Sequence, residues 1–165
     1  MKKYTIVKSD SKVVAGVKLY RIKANISFGN VSKGELGGYI ESEKNLSQKN
    51  NAWISGDAQI WGNAQIWGNA RIWGDARIWG NARISGNARI WGDAQIWGDE
   101  ITTTLKTVVV FSYCISIAPH FVFCGCMKWK HSEIKNIKYE DKAKEYMTEK
   151  QFKIIKKVVL ELIKY

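Results

Sequence analysis

Four arginines recur at six-residue steps in mid-chain, Arg71, Arg77, Arg83 and Arg89, and a tryptophan stands two residues after three of them, at Trp73, Trp79 and Trp91. A guanidinium grips phosphate or carboxylate through a fork of N–H donors, and an indole offers a flat face to a base. Together they fit capture of a small anionic ligand of nucleotide type. The plainer alternative leaves the same guanidinium groups solvated or lying over indoles as cation–π partners.

Catalytic chemistry has less to work with. Both histidines, His120 and His131, lie outside residues 34–100, and no Ser/His/Asp set is visible. The aspartates of the central region follow glycines at corners, where a turn accounts for them. Cys124-Gly125-Cys126, with His120 and His131 nearby, contains four conceivable metal ligands. Paired zinc thiolates are normally separated by two or more residues, however, so neither metal nor cofactor is expected. Three cysteines, Cys114, Cys124 and Cys126, cannot all pair within one chain. With no signal-peptide pattern after Met1, that favours a reducing, cytoplasmic setting.

What must position these side chains is a repeat, A-[QR]-I-W-G-[ND], running from Ala58 to Ile96. "NAWIS" (Asn51–Ser55) is a looser earlier copy, and Ile40 and Leu46 mark looser ones still. Ala and Ile, two apart, face one side of an extended strand, while the intervening Gln or Arg and the following Trp face the other. The Gly-Asn or Gly-Asp pair then turns a corner. Glycine at every sixth position would cost a helix about 1 kcal/mol each time. Strands this short do not make a stable meander. Short parallel strands coiled so that each pairs with its counterpart one coil away satisfy the pattern, which is that of a β-solenoid.

The unit resembles the hexapeptide repeat of left-handed parallel β-helices, in which three hexads complete a triangular coil. The opening "LYRIKA…KGELGGYIESEKNLS" followed by "GNARI" units is similar to small hexapeptide-repeat proteins of phages and prophages, often labelled polymer-forming or transferase-like. The likeness spans about residues 17–100. It implies a phage-encoded protein at work in the host cytosol, and a trimer. Small phage proteins of this kind can blunt host defence by sequestering a signal. Acyltransferases of the same superfamily use a histidine base at the coils and a CoA-type donor; the absence of histidine from residues 34–100 argues against that activity here.

Three hexads per coil stack residues eighteen apart. Ile54, Ile72 and Ile90 then form one internal column, Ile60, Ile78 and Ile96 a second, and Ile66 and Ile84 a third. Outside, Trp61, Trp79 and Trp97 share a face, Trp73 and Trp91 stand beyond Ser55 on another, and Trp67 meets Ser85 on the last. Arg71 and Arg89 share a face, while Arg77 lies between Gln59 and Gln95. A ladder of indoles exceeds the apolar patch a monomer usually exposes, so Trp61, Trp79, Trp97 and Trp67 are assigned to contact with a second copy of the chain.

The net charge is +11, yet residues 50–100 carry four Lys/Arg against five Asp/Glu. The excess sits in residues 1–49 (ten against four) and 101–165 (twelve against six). A nearly neutral repeat does not suit sequence-specific nucleic-acid binding.

The organisation read here is mainly β. An N-terminal β cap (1–33) holds strands "KKYTIV" and "KLYRIKA" around a loop "KSDSKVVAG". The coils span 34–100, and an α+β module follows at 101–165. In that module "TTTLKTVVVFSYCISI" and "FVFCGCMKWK" read as a hairpin or pair of strands, preferred over a membrane helix across Thr107–Met127, so no membrane partner is expected. A short helix is placed at about 132–146. A longer one carries Phe152, Ile155, Val159 and Leu162 on one stripe behind a Thr148/Gln151 capping box. The rival to ligand capture is a scaffold that binds a host protein through residues 101–165.

Overall fold

The computed structural model describes residues 1–98, 100–101, 106–110, 113–118, 120–124, 127–139 and 147–163. They divide into two compact units, Met1–Thr104 and Leu105–Tyr165.

The first unit begins with an antiparallel pair, β1 (Tyr4–Val14) and β2 (Val17–Ala24). The segment expected as a loop is mostly strand. The chain reverses only at Ala15-Gly16, where φ is 49° and 78°, and a register shift between Val7 and Ser11 absorbs the surplus residues. β3 (Leu36–Ile40) pairs antiparallel with β2 on one side and parallel with the coils on the other. Two successive glycines allow that crossing. A Cβ on Gly37 would stand 2.6 Å from the Ile54 carbonyl oxygen, and one on Gly38 2.6 Å from that of Ala58.

The coils are built from β4 (Trp53–Ile54), β5 (Gln59–Ile60), β6 (Gln65–Ile66), β7 (Arg71–Ile72), β8 (Arg77–Trp79), β9 (Arg83–Ile84), β10 (Arg89–Ile90), β11 (Gln95–Trp97) and β12 (Glu100–Ile101). They form three parallel faces, β4-β7-β10, β3-β5-β8-β11 and β6-β9-β12, and the second continues through β2 to β1. Along the repeat the partners are eighteen residues apart, as Ile54, Ile72 and Ile90 are. Two irregularities bracket that run. Tyr39 pairs with Gln59 and Leu46 with Ile66, twenty apart, because the corner after Leu46 holds two extra residues. Ile101 pairs with Ile84, seventeen apart, at the far end.

The expected alanine and isoleucine columns fill the shaft: every Ala from Ala52 to Ala94 and every Ile from Ile54 to Ile96 in the repeat is at most 1% exposed. Each buried isoleucine contributes roughly 1.5–3 kcal/mol of transfer free energy. That makes this column the main cohesion of so thin a structure.

The second unit is a four-stranded antiparallel meander, β13 (Lys106–Val110), β14 (Tyr113–Ile117), β15 (Phe121–Cys124) and β16 (Met127–Lys130). Ile115, Ile117, Val122 and Cys124 share a core with Phe152, Ile155 and Val159 of helix α2 (Glu149–Leu162), while Leu162 packs at its margin. The capping box forms, with the Gln151 amide donating to Thr148 Oγ1 and the Thr148 amide donating to Gln151 Oε1. The shorter helix is a single turn, α1 (His131–Ile134), and the chain is irregular from there to Tyr139. Ile137 and Tyr139 of that run pack against the core without helical backbone; positions 140–146 lie outside the described residues, as do Gly125 and Cys126. The stretch weighed as a membrane helix is strand wherever it is regular, and among the described residues no helix is long and apolar enough to cross a membrane.

Candidate functional site

On the β4-β7-β10 face, the outward position before each isoleucine is held in turn by Trp53, Arg71 and Arg89. The position after it is held by Ser55, Trp73 and Trp91, and the Ser55 and Trp73 amides donate to the Ile72 and Ile90 carbonyls one coil on. Trp53 lies outside the shaft yet is only 2% exposed, because the N-terminal cap folds over it. Phe28 meets its indole edge-on at 5.4 Å and Tyr4 at 6.4 Å between centroids. Its Nε1 is buried and, among the described residues, donates to no acceptor.

The cap is pinned there by Lys3. Its ammonium donates to the carbonyls of Ala52 (2.8 Å), Asn50 (3.3 Å) and Lys49 (3.4 Å), and lies 4.9 Å from the Phe28 ring centre. These carbonyls belong to the enlarged corner that carries the two extra residues, with Asn50 at φ 56°. Burial, and the nearby charge of Arg71, push the Lys3 pKa down to about 8.

Between cap and coil lies an open cleft of about 480 Å³, lined among others by Gly29, Trp53, Ser55, Arg71, Trp73 and Arg89. The Gly29 backbone comes so close that a Cβ there would sit 2.5 Å from Arg71 Nη2. Among the described residues neither Arg71 nor Arg89 has a carboxylate partner. Arg21 shows what an engaged arginine looks like in this unit: it donates to Asp10, to Tyr39 Oη and to the Gly37 carbonyl. The cleft is thus cationic, roofed by backbone and walled by indole, an arrangement able to hold an anion.

The four arginines of the repeat are not brought together. Arg71 and Arg89 share the cleft with Trp73, whereas Arg77 lies exposed between Gln59 and Gln95 on the β5-β8-β11 face. Arg83 is exposed on the third face, in register with Gln65 and Glu100. Trp61, Trp79 and Trp97 stack as a column, with centroids 5.3 and 5.2 Å apart. Trp73 and Trp91 stack at 5.6 Å. Trp67 stands between Ser47 and Ser85 in the hydrogen-bond register. Sequence reasoning missed Trp53, Ser55 and Gly29 as cleft residues, and Lys3 as the side chain that pins the cap beside it. Counting eighteen back from Arg71 and Trp73 reaches Trp53 and Ser55, so that much was within reach; the two cap residues left no comparable signal.

In the second unit His120 and His131 lie at facing strand ends, the His131 amide donating to the His120 carbonyl at 3.0 Å. They line an open hollow with Phe121, Lys130 and Ser132. Among the described residues no three His, Cys, Asp or Glu side chains cluster as metal ligands.

A family model described as the YdcK beta solenoid repeat matches residues 82–98, about one coil. No curated protein matches the chain.

Proposed function

We propose that this chain is a non-enzymatic, oligomeric binding protein that captures a small anionic ligand of nucleotide type in the cleft between its cap and its coils. The observation that carries this reading is the pair Arg71 and Arg89, one coil apart, unpaired with any described carboxylate and beside Trp73. Only Arg71, Arg89 and Trp73 of the candidate residues belong to this cleft, and Trp91 acts through its stack on Trp73. Arg77, Arg83 and Trp79 take no part in it. We assign Trp61, Trp79 and Trp97, with Trp67 on the neighbouring face, to contact between copies of the chain, in a trimer on the family resemblance. The same resemblance supports a phage origin and work in the host cytosol. A rigid binder without a histidine at its coils suits sequestration of a host nucleotide signal rather than its turnover.

Titration calorimetry of the full chain against mono- and cyclic nucleotides tests the reading. Binding is expected for at least one, weakened about ten- to a hundredfold by Arg71→Ala or Arg89→Ala, as loss of a charged hydrogen bond implies. Arg77→Ala should leave it within about twofold, a control that separates the cleft from general surface charge. Absence of heat across the panel would end the proposal.

A further inference from the structure

The tryptophan column on the β4-β7-β10 face is one ring short. Trp91 covers one side of Trp73, but one coil earlier the same position holds Ser55, whose hydroxyl donates to the Ile72 carbonyl at 3.4 Å. On the β5-β8-β11 face the corresponding place is filled: Trp61 lies 5.3 Å from Trp79, within 8° of parallel. Among the described residues Trp73 is accordingly the most exposed of the large aromatic side chains, at 38%. The space beside it is not taken up by the cap, because Ser55, Trp73, Gly29 and Arg71 line one continuous cleft.

From this vacancy we infer that Ser55 is a specificity-determining residue: it leaves a slot, one indole in thickness, in which the planar base of a nucleoside phosphate stacks on Trp73 while its phosphate is held by Arg71 and Arg89. The inference rests on the reading of the cleft as an anion site. A ring in the slot occupies the place that the repeat itself gives to an indole, so its distance and tilt to Trp73 are set by the coil spacing. The Trp67 vacancies do not compete, because Arg83 on that face stands alone among the four arginines of the repeat, with no second one a coil away. Larger rings overlap an indole more fully, so purine nucleotides should lead pyrimidine nucleotides.

The test compares adenosine monophosphate with ribose 5-phosphate, which keeps the phosphate and lacks the base, by calorimetry on the full chain. The native chain should bind the nucleotide about tenfold or more tightly than the sugar phosphate, in line with one base stacked on one aromatic ring. Ser55→Trp completes the column with the residue the repeat uses, so it should fold. It should abolish that preference and leave both ligands within about twofold of each other. Trp73→Leu, which removes the π face and keeps an apolar side chain, should do the same and stands in if Ser55→Trp proves unstable to heat. A preference that survives both substitutions, or its absence from the native chain while ribose 5-phosphate still binds, would overturn the slot and leave the anion site standing. If neither ligand binds, the slot falls, and the anion site falls with it when the whole nucleotide panel gives no heat.

Discussion

Lys3 shows how one side chain can tie a cap to a coil. Its three ammonium protons have three carbonyl acceptors, all on the corner formed by residues 49–52. Nothing in "MKKYT" announces this, since the acceptors are backbone atoms more than forty residues away. The arrangement nevertheless opposes the charge it holds. Folded Lys3 loses its proton near pH 8, pushed there by burial and by Arg71, whereas the unfolded chain keeps it to about 10.5. Between those values the unfolded chain binds more protons, so the free energy of unfolding rises with pH. Tyr4 acts in the other sense. Burial and the charge of Glu43 hold its phenol well above the ordinary 10.0, so the unfolded chain ionises first and stability declines beyond that point. Urea midpoints measured between about pH 7 and about pH 11 should therefore climb from pH 8 and turn over near pH 10. In Lys3→Met the climb should be missing and the decline preserved; a variant that still climbs would mean other groups govern the slope.

At the scale of the element, the corner decides the coil. Gly74 has φ 79°, and a Cβ on it would stand 2.9 Å from the Gly92 amide nitrogen one coil on. Gly92 has φ 67° and open space where its Cβ would go. Both Gly92→Ala and Gly74→Ala force an L side chain into left-handed backbone, a cost of about 1–2 kcal/mol. Only Gly74→Ala also pushes the next coil away, which adds about 1–3 kcal/mol by analogy with overpacked cores. Chemical denaturation should rank them in that order, and equal losses would contradict the close stacking of these corners. These corners, and the columns they impose, could be read from the sequence because a strict period leaves one geometry that buries Ala and Ile together. The two-residue insertion before Trp53 was harder to place, since looser copies blur the count there. The second unit was legible where amphipathic spacing was strong, in α2, and poorly so around α1, where Ile134 and Ile137 alone carry helical spacing and the helix stops after one turn. Of the site, the shared face of Arg71 and Arg89 follows from the coil count. The roof over it does not, because cap and coil meet through Gly29, Lys3 and Phe28, far apart in sequence.

For the whole molecule, the open matter is what the Trp61, Trp79 and Trp97 column meets. Its rings are partly covered by one another, and stacking of this kind contributes roughly 0.5–1.5 kcal/mol per pair. Two stacked pairs are a modest share of a fold that buries a full column of isoleucines, so the column is not required to hold a coil together. The repeat itself shows which replacement is tolerated: serine already occupies the same outward position at Ser55 and Ser85. The triple change Trp61→Ser, Trp79→Ser, Trp97→Ser should leave a folded chain, with far-ultraviolet dichroism like that of the parent. If the column is the contact between copies, sedimentation mass should fall from an oligomer to the 18.8 kDa of the single chain. The β4-β7-β10 cleft is on a different face, so the same variant tests whether a ligand site is completed by a neighbour. Retained nucleotide affinity in the dissociated chain would place the whole site within one copy, whereas affinity lost together with mass would place part of it on the next. A mass unchanged by the three substitutions would remove the column from the interface and leave it as a stiffening rib.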